Sequence, residues 1–223
     1  MSEEQKLITA VRHLVRREER EARNGHKGCV AWLTGLPGSG KSTLAMGAER
    51  ELFARGRSVY VLDGDNVRSG LSSDLGFSPA DRVENIRRVS ELAALFADAG
   101  LIVITAFISP YARDRAFARD RAFARSRYPV DFHEVFVQCD RAVCEARDPK
   151  GLYAKARRSD LHDFTGVSAP YEAPRNPDLA IDTEHAGIES CVARLVDYLE
   201  THARLGSPGE DRTPVRAAQA PSP

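Results

Sequence analysis

Five short apolar runs recur along this sequence and alternate with longer stretches that carry apolar residues at helical spacing. The runs cover residues 29–34, 58–63, 101–108, 132–138 and 179–183, and the helical stretches cover about 41–55, 79–99, 110–126, 140–147 and 187–203. Within the runs apolar residues follow one another, which is typical of strands buried on both faces. The alternation predicts an α/β fold of three layers, with a mainly parallel five-stranded sheet flanked by helices.

The two ends of the chain differ in composition from this region. Residues 1–25 place apolar side chains among charged ones at helical spacing, which predicts an exposed amphipathic helix over 2–23. Residues 205–223 are rich in Pro, Gly, Ser and charge and have no apolar face, which predicts a disordered tail. We therefore expect one α/β domain at 26–204.

Composition disfavours several classes of protein. The 32 Lys and Arg residues balance the 32 Asp and Glu residues, so no net charge favours binding to nucleic acid or to an anionic membrane. No apolar run approaches the roughly 20 residues that a membrane span needs, and the N-terminus lacks the apolar core of a signal peptide. The 4 cysteines form no CxxC pair and the 6 histidines are scattered, which indicates reduced cysteines, no metal cluster and a cytoplasmic protein.

A six-residue segment, RDRAFA, occurs twice in tandem, at 113–118 and at 119–124. Six residues turn a helix by about 600°, so the two copies are expected to face different directions. We interpret the segment as a surface helix lengthened by duplication, outside any functional site. An Arg-rich contact for an anionic partner is disfavoured because Asp114 and Asp120 dilute the charge.

The strongest chemical motif follows the first apolar run and opens the first long helix. Residues 35–42 read GLPGSGKS and fit the pattern GxxxxGK[ST] in the strand–loop–helix context that the pattern requires. Its glycines let backbone N–H groups turn toward a phosphate, and the helix adds its positive end. Lys41 is expected to reach the β- and γ-phosphates of a nucleoside triphosphate, and Ser42 is expected to ligate Mg²⁺.

Two carboxylates stand at the end of the second apolar run. Asp63 and Asp65 lie where the carboxyl ends of parallel strands face the phosphate side of an open α/β sheet. They are candidates to orient an attacking hydroxyl or to hold Mg²⁺ through water. Asp, Gly and Asn also favour a plain solvated turn, so these residues alone leave both interpretations open.

Further polar candidates follow along the chain. Arg82 and Asn85 share one predicted helix face, where Arg suits a bidentate grip on phosphate or sulfate; a charge-paired surface is the alternative. Residues of about 148–172, including Lys150, are predicted to form a lid over a transferring phosphate; a plain basic loop is the alternative. Ser109 follows the third run, and a serine before proline is more often a cap than a nucleophile.

Taken together, these motifs resemble the adenylyl-sulfate kinase family of P-loop kinases, whose members phosphorylate the 3′-hydroxyl of adenosine 5′-phosphosulfate (APS). The matching segments run in the family's order: TGLPGSGKST, VLDGDNVRSGL, DLGFSPADRVENIRRV, DAGLIVITAFISPY, EVFVQCDRAVCEARDPKGLYAKAR and FTGVSAPYEAP. The resemblance implies transfer of the γ-phosphoryl group of ATP to APS, giving 3′-phosphoadenosine 5′-phosphosulfate (PAPS) and ADP. It also implies Mg²⁺ as cofactor and a homodimer as the assembly.

The resemblance also implies which residues form the site. ATP is expected to contact Gly35, Leu36, Pro37, Gly38, Ser39, Gly40, Lys41, Ser42, Thr43 and Arg147. APS is expected to contact Asp63, Asp65, Arg68, Phe77, Arg82, Asn85, Ile108, Ser109, Lys150, Leu152 and Phe164. The implied catalytic residues are Lys41, Asp63, Ser109 and Lys150, and the implied Mg²⁺ ligands are Ser42 and Asp63, directly or through water.

Individual roles follow from the same resemblance. Asp63 is the implied base or orienting group for the 3′-hydroxyl, and Phe77 and Phe164 are implied to stack on the two faces of the adenine. The phosphosulfate end is implied to contact Arg68, Arg82 and Asn85. Ser109 matches a serine described in the family as a phosphoserine intermediate. In-line transfer from ATP needs only positioning, Mg²⁺ and cations, so we expect Ser109 to contact substrate without carrying the phosphoryl group.

The sequence departs from the family pattern at a few positions. Pro37 replaces a small polar residue and Ser72 replaces an Asn, and neither change removes an implied chemical role. Two other functions stay open: a P-loop kinase for another small hydroxyl acceptor, such as a nucleoside or a sugar acid, and a non-catalytic nucleotide-binding module. The segments GFSPADRVENIRR and FTGVSAPYEAP disfavour the first, and the presence of Lys41, Asp63 and Lys150 disfavours the second.

Overall fold

One five-stranded sheet forms the centre of the protein, whose computed structural model describes residues 13–124, 131–160 and 163–205. Its strands are β1 (Cys29–Thr34), β2 (Val59–Asp63), β3 (Ile102–Ala106), β4 (Asp131–Gln138) and β5 (Leu179–Asp182). The strand order is β2-β3-β1-β4-β5, and every pairing in this sheet is parallel. The predicted fold class is confirmed, with a sheet that is parallel throughout instead of mainly parallel.

Helices cover both faces of this sheet. Those of the described residues are α1 (Arg17–Asn24), α2 (Lys41–Ala54), α3 (Gly64–Ser69), α4 (Pro79–Asp98), α5 (Ala112–Ala124), α6 (Arg141–Arg147), α7 (Leu152–Arg157) and α8 (Ile188–His202). The five helices predicted after the first apolar run are confirmed to within a few residues, although 125–126 lie outside the described part. Sequence periodicity misses α3 and α7 because each has only 6 residues. No described helix is both long and apolar enough to cross a bilayer.

Side chains of β1 alternate between two apolar cores, one on each face of the sheet. Leu33 packs in a core with Leu44 of α2 and Leu195 of α8, and each of the three is fully buried. Trp32 packs in the other core with Val89 of α4. Since both faces are covered, polar loops gather where the strands end, and the loops after β1, β2 and β3 meet at the carboxyl edge. The four cysteines are free, as expected.

The N-terminal helix begins later than its periodicity predicts. Residues 13–16 are not helical, and α1 begins at Arg17. The Arg16 backbone N–H donates to the Glu19 carboxylate at 2.8 Å, as in a capping box, and this contact fixes the start of the helix. Residues 1–12, which the prediction also assigned to this helix, lie outside the described residues, as does 206–223 of the predicted tail.

The same helix is docked on the domain instead of being exposed along its length. Arg17 and Glu21 are buried, and Arg17 Nε donates to Glu21 Oε1 at 2.7 Å. The Gly28 backbone N–H donates to the same carboxylate oxygen at 3.0 Å, and Arg17 Nη2 donates to the Gly28 carbonyl at 2.8 Å. Burial of an ion pair is tolerated here because the remaining polar atoms find backbone partners.

The first copy of the duplicated hexapeptide is partly buried on α5. Asp114 and Arg115 of that copy are 5% and 3% exposed, so the interpretation as a surface helix is wrong for these two residues. Arg119, the first residue of the second copy, is half exposed and forms an ion pair with Asp178. Asp120 and Arg121, the counterparts of Asp114 and Arg115, lie outside the residues whose side chains the structure describes, so the expectation that the copies face different directions stays a prediction.

Deleting residues 119–124 is expected to leave kcat, and KM for ATP and its acceptor, within about twofold of the wild-type values. The two copies are identical, so the shortened chain retains Arg115 and brings Arg125 to the position of Arg119. Steady-state kinetics of the deletion variant measure this outcome, with thermal unfolding as a check on the fold. A collapse of kcat in a folded variant would contradict the placement of the second copy outside the site.

Candidate active site

The loop between β1 and α2 is shaped by glycines at positions that exclude a side chain. Gly38 has φ 78°, and a Cβ there would lie 2.7 Å from the carbonyl oxygen of Cys144, so a substitution would collide with α6. Gly40 has φ 90° and precedes the first residue of α2, Lys41. Backbone N–H groups at this turn and at the start of α2 form the phosphate cradle that the motif predicts.

Lys41 lies beneath this loop. Its side chain is 8% exposed, and Nζ donates to the carbonyls of Gly35 at 2.9 Å and Leu36 at 2.7 Å. Burial lowers the pKa of Lys41 to about 8, although Asp63 and other neighbours oppose part of the shift. The ammonium is therefore held in a dry position where a phosphate is a better partner than the loop carbonyls.

The lowered pKa of Lys41 gives nucleotide binding a pH dependence. A bound phosphate favours the charged ammonium and raises its pKa, so at about pH 9 ATP binding is expected to take up a proton and affinity should fall with rising pH. Calorimetric titration with ATP in two buffers of different ionisation enthalpy measures the uptake. The matched control is Lys41→Arg, which stays charged and should take up none. Equal heats in both buffers for the wild type would contradict the assignment.

Ser42 and Asp63 join the nucleotide loop to the end of β2. Ser42 Oγ donates to Asp63 Oδ2 at 2.6 Å, and the Asp65 backbone N–H donates to Asp63 Oδ1 at 3.0 Å at the start of α3. Asp63 is only 7% exposed. The two candidate residues thus meet from α2 and from the end of β2, and this geometry favours a placed carboxylate over a solvated turn for Asp63.

These two residues also fit a Mg²⁺ site. Among the described residues, no group of three or more His, Cys, Asp or Glu side chains is arranged to hold a metal ion. Mg²⁺ does not need such a group, because it keeps several waters and binds through one or two protein oxygens and the substrate phosphates. The Ser42 hydroxyl and the Asp63 carboxylate supply oxygens of that kind, 2.6 Å apart beside the phosphate loop.

Two guanidinium groups lie together near the start of α4. Arg68 Nη1 donates to the Gly76 carbonyl at 2.7 Å, and its guanidinium sits over the Phe77 ring, 4.4 Å from the centroid. Arg82 Nε donates to the Phe77 carbonyl at 2.9 Å. Partial burial and the neighbouring Arg82 charge lower the pKa of Arg68 below its ordinary value. Such a pair is suited to an anion.

Ser72 and Asn85, which lie close in sequence to these two arginines, carry unpaired polar atoms. Asn85 is 3% exposed, and neither its Oδ1 nor Ser72 Oγ has a hydrogen-bond partner among the described residues. An unpaired buried acceptor or hydroxyl costs about 1–3 kcal/mol, so a ligand or a water that pairs with it is favoured. Ser72, which stands where the family pattern has an Asn, has an unpaired hydroxyl among the described residues.

The predicted lid has a small apolar core of its own. Its buried members are Cys144, Tyr153, Ala156 and Phe164, and Leu36, Cys139, Leu152 and Val167 pack against them. Tyr153 of α7 donates from its hydroxyl to the Pro37 carbonyl at 3.0 Å, which ties this segment to the phosphate loop. Arg82 Nη1 donates to Thr165 Oγ1 at 2.8 Å and holds the other side of the segment.

The two candidate stacking rings lie in different environments. Phe77 is 66% exposed and contacts Arg68. Phe164 is 9% exposed and meets the Tyr153 ring edge-on, with centroids 5.1 Å apart. Leu152 packs against the same small core as Phe164. In this conformation Phe77 offers its ring to a ligand, and Phe164 is mainly part of the lid's interior.

The remaining candidates lie at the rim and at the end of β3. Lys150, which is half exposed, contacts the Asp65 carboxylate across the site. Arg147 Nη2 donates to the Thr183 carbonyl at 2.7 Å, beside the phosphate loop. Ile108 is half buried, and its carbonyl accepts from Thr34 Oγ1 at 2.7 Å.

Ser109 turns its hydroxyl into the protein. It is 2% exposed, has φ 40°, and its Oγ accepts from Trp32 Nε1 at 3.0 Å. A nucleophilic serine needs a base within hydrogen-bond reach, and the partners described for this hydroxyl are the indole N–H and the Phe107 carbonyl. The geometry favours a structural role for the side chain over an attacking one.

Several residues that hold the site carry no motif of their own. Thr183, just after β5, donates from Oγ1 to the Ser39 carbonyl at 2.8 Å and so supports the phosphate loop from the side. Trp32 and Thr34 hold the loop after β3. Their position near strand ends indicates that they lie close to the site. The role of each can be identified only when its partner, 74 to 144 residues away, is known.

Comparisons with known proteins agree with this geometry. The family model for adenylylsulphate kinase matches residues 27–182. An adenylyl-sulfate kinase of Staphylococcus epidermidis is 53% identical over 188 residues, 84% of this chain and 92% of that protein. The structure of the Mycobacterium tuberculosis APS kinase CysC in complex with AMPPNP and APS has a TM-score of 0.75 and 49% identity, and the match covers 78% of this chain and 98% of that chain. A hexameric APS kinase from Thiobacillus denitrificans has a TM-score of 0.62 and 33% identity, covering 85% of this chain and 32% of that chain.

Proposed function

This chain belongs to the adenylylsulphate kinase family, and from that premise we propose that it transfers the γ-phosphoryl group of ATP to the 3′-hydroxyl of APS, giving PAPS and ADP. The observation that carries the proposal is the contact between Ser42 of the phosphate loop and Asp63 at the end of β2, at 2.6 Å. The contact supports the proposal because a carboxylate held beside the expected γ-phosphate is suited to orient an acceptor hydroxyl.

On the donor side, the loop amides, Lys41 and Ser42 hold the ATP phosphates. Burial of Lys41 strengthens its attraction for a phosphate, because water does not screen the pair. Arg147 and Thr43 complete the ATP contacts at the rim. Ser42 and Asp63 would hold Mg²⁺, directly or through water, and the bound ion would neutralise charge on the phosphates.

On the acceptor side, Asp63 orients the 3′-hydroxyl and accepts its proton as the bond from the 3′-oxygen to the γ-phosphorus forms and the bond from that phosphorus to the leaving ADP oxygen breaks. Arg68 and Arg82, with Asn85 beside them, take the phosphosulfate end, since paired guanidinium groups suit a doubly charged anion. Phe77, already exposed, stacks on the adenine. Asp65 and Ile108 line the crevice between these groups.

We propose that the segment of about 148–172 acts as a lid. Its contacts with the phosphate loop through Tyr153 and with Arg82 through Thr165 connect both substrate sites to one segment. Lys150 is expected to leave Asp65 and approach the transferring phosphoryl group when both substrates are bound. Leu152 and Phe164 then close the crevice against water.

Transfer is proposed to be direct. Ser109→Ala is expected to keep kcat within about tenfold of the wild type, because the lost contact is one hydrogen bond from Trp32. Rapid-quench analysis of the wild type with labelled ATP measures any phosphoprotein, and no phosphoserine is expected. Loss of all turnover in Ser109→Ala, together with phosphoserine formed and consumed at the rate of turnover in the wild type, would overturn the direct route.

Release of ADP from ATP and Mg²⁺ with different acceptors tests the proposal. We expect rapid release with APS and little with nucleosides or gluconate. Turnover with gluconate or a nucleoside but not with APS would instead favour a kinase for another small hydroxyl acceptor. Nucleotide binding with no turnover on any acceptor would favour a non-catalytic module.

A homodimer in the cytoplasm is proposed from the family resemblance, and the relative from Thiobacillus denitrificans shows that a hexamer also occurs among related proteins. Light scattering during size-exclusion chromatography measures the mass directly. A mass of about twice the 24.5 kDa chain supports the dimer, and a mass of one or six chains contradicts it.

A further inference from the structure

Arg115 is a buried arginine with three separate partners. Its side chain is 3% exposed, although it lies in the duplicated segment that the sequence alone assigns to the surface. Nη1 donates to the Ser109 carbonyl at 2.8 Å, and Nη2 donates to the Glu172 carbonyl at 2.8 Å. Nε donates to Glu134 Oε1 of β4 at 2.6 Å. The guanidinium therefore connects three segments of the chain.

One of these segments is the loop over residues 107–111, between β3 and α5. Ser109 has φ 40°, a left-handed conformation that costs a non-glycine residue about 1–3 kcal/mol and persists only when its surroundings impose it. Three contacts impose it here: Arg115 binds the Ser109 carbonyl, Trp32 binds the Ser109 hydroxyl, and Thr34 binds the Ile108 carbonyl. The loop is thus held in its shape by contacts from β1 and from α5.

A second segment is the end of the proposed lid. The Glu172 backbone N–H donates to the Pro110 carbonyl at 2.9 Å, and the Glu172 carboxylate accepts from the Ala112 backbone N–H at 2.8 Å. Tyr171 lies within 3.0 Å of the Thr34 hydroxyl. Arg115 donates to the carbonyl of the same Glu172. Together these hydrogen bonds fix the C-terminal end of the lid to the loop after β3.

We propose that Arg115 is a positioning residue for the acceptor substrate. It holds the 107–111 loop and the end of the lid in fixed positions relative to each other, so that both are already in the arrangement that binds APS. This inference rests on the proposed function. The nucleotide loop is supported independently by Thr183, which lies outside the lid and donates to the Ser39 carbonyl. Loss of Arg115 should therefore separate the two substrates kinetically, raising KM for APS much more than KM for ATP.

The test pairs Arg115 with Glu134, because removing the arginine alone leaves a carboxylate of low exposure without its partner. The double variant Arg115→Met with Glu134→Gln removes both charges and keeps similar side-chain volumes. Displacement of a binding element by about 1 Å can cost about 10²-fold, so KM for APS is expected to rise by about 10–10²-fold, with KM for ATP within about twofold. The matched control is Arg119→Met, a half-exposed arginine on the same helix whose partner is Asp178, and both KM values should stay unchanged.

A second readout uses Trp32, the single tryptophan of the chain, whose indole N–H is bonded to Ser109. Its emission should shift in the double variant before any substrate is added, because the loop that holds its partner relaxes. Should the double variant fail to fold, Arg115→Lys serves instead. It retains the charge at Glu134 but not the planar fork, and it should show the same KM split at smaller size.

Three outcomes are decisive. A raised KM for APS with an altered Trp32 emission supports the inference. An active wild type together with folded variants of unchanged KM for APS, or with both KM values raised equally, overturns it and assigns Arg115 a purely structural role. A wild type that releases no APS-dependent ADP overturns the proposed function itself, and this inference with it.

Discussion

Replacing Asp63 with asparagine is expected to lower kcat for APS phosphorylation by about 10²–10⁴-fold, while the Kd for ATP stays within a few-fold of the wild type. Asparagine keeps the shape of the side chain and an oxygen for the Asp65 backbone N–H, but it cannot accept the proton of the 3′-hydroxyl. Rapid-quench kinetics with saturating ATP and APS measure the chemical step. Equilibrium titration with ATP measures binding separately.

Two controls isolate the role of Asp63 in orienting the hydroxyl. Raising the Mg²⁺ concentration would restore a rate that was lost only through weaker metal binding, and we expect little restoration. Asp65→Asn removes a neighbouring, exposed carboxylate whose partner is Lys150, and its main effect should be on KM for APS. An unchanged kcat in Asp63→Asn would remove Asp63 from the mechanism.

Replacing Lys41 with methionine is expected to lower kcat/KM for ATP by about 10²–10³-fold. Methionine fills a similar volume beneath the phosphate loop, so the change removes charge with little loss of packing. The buried ammonium is the cation that we propose contacts the β- and γ-phosphates, and the low exposure of its site makes that charge hard to replace by water.

The matched variant Lys41→Arg distinguishes charge from shape. It retains the positive charge, but the guanidinium is larger than the ammonium that fits among the carbonyls of Gly35 and Leu36. We expect it to recover part of the lost kcat/KM for ATP. A Lys41→Met variant that keeps wild-type kcat/KM with an intact fold would contradict the assigned contact with the phosphates.

The central architecture could be predicted from the sequence because the signals are local. Continuous apolar runs identify the five strands, and glycines with a lysine at fixed spacing identify the phosphate loop. The structure adds that Gly38 is required by the approach of α6, since the Cys144 carbonyl leaves no room for a side chain. Asp63 could be proposed from its place at a strand end, but its contact with Ser42 needed the fold.

Other features could not be predicted because they depend on distant partners. α1 looked exposed by its charge, yet Arg17 and Glu21 are buried as a pair against Gly28. Arg115 lies in a hexapeptide that the sequence repeats and assigns to the surface, and only its contacts with Glu134 and Glu172, which are distant along the chain, identify its buried role. Periodicity detects faces of long helices and does not identify which face meets a strained loop.

The candidate roles of Ser109 and Phe164 show a second limit. Ser109 follows β3, and Phe164 lies in the lid segment. Matching to the family motifs assigns a substrate contact to each. The structure instead turns the Ser109 hydroxyl toward Trp32 and packs Phe164 against Tyr153. A motif identifies a position along the chain, whereas rotamer and backbone conformation decide which atoms that position offers to a ligand.

Identification of the product tests the central claim most directly. The protein is incubated with ATP, Mg²⁺ and APS. The ADP released is quantified, and the nucleotide product is identified by ³¹P NMR and mass spectrometry. The account predicts one ADP for each APS consumed and a product that carries a new phosphomonoester on the 3′-oxygen with its phosphosulfate intact. ADP formation without that phosphomonoester, or a phosphoryl group on any other acceptor atom, would contradict it.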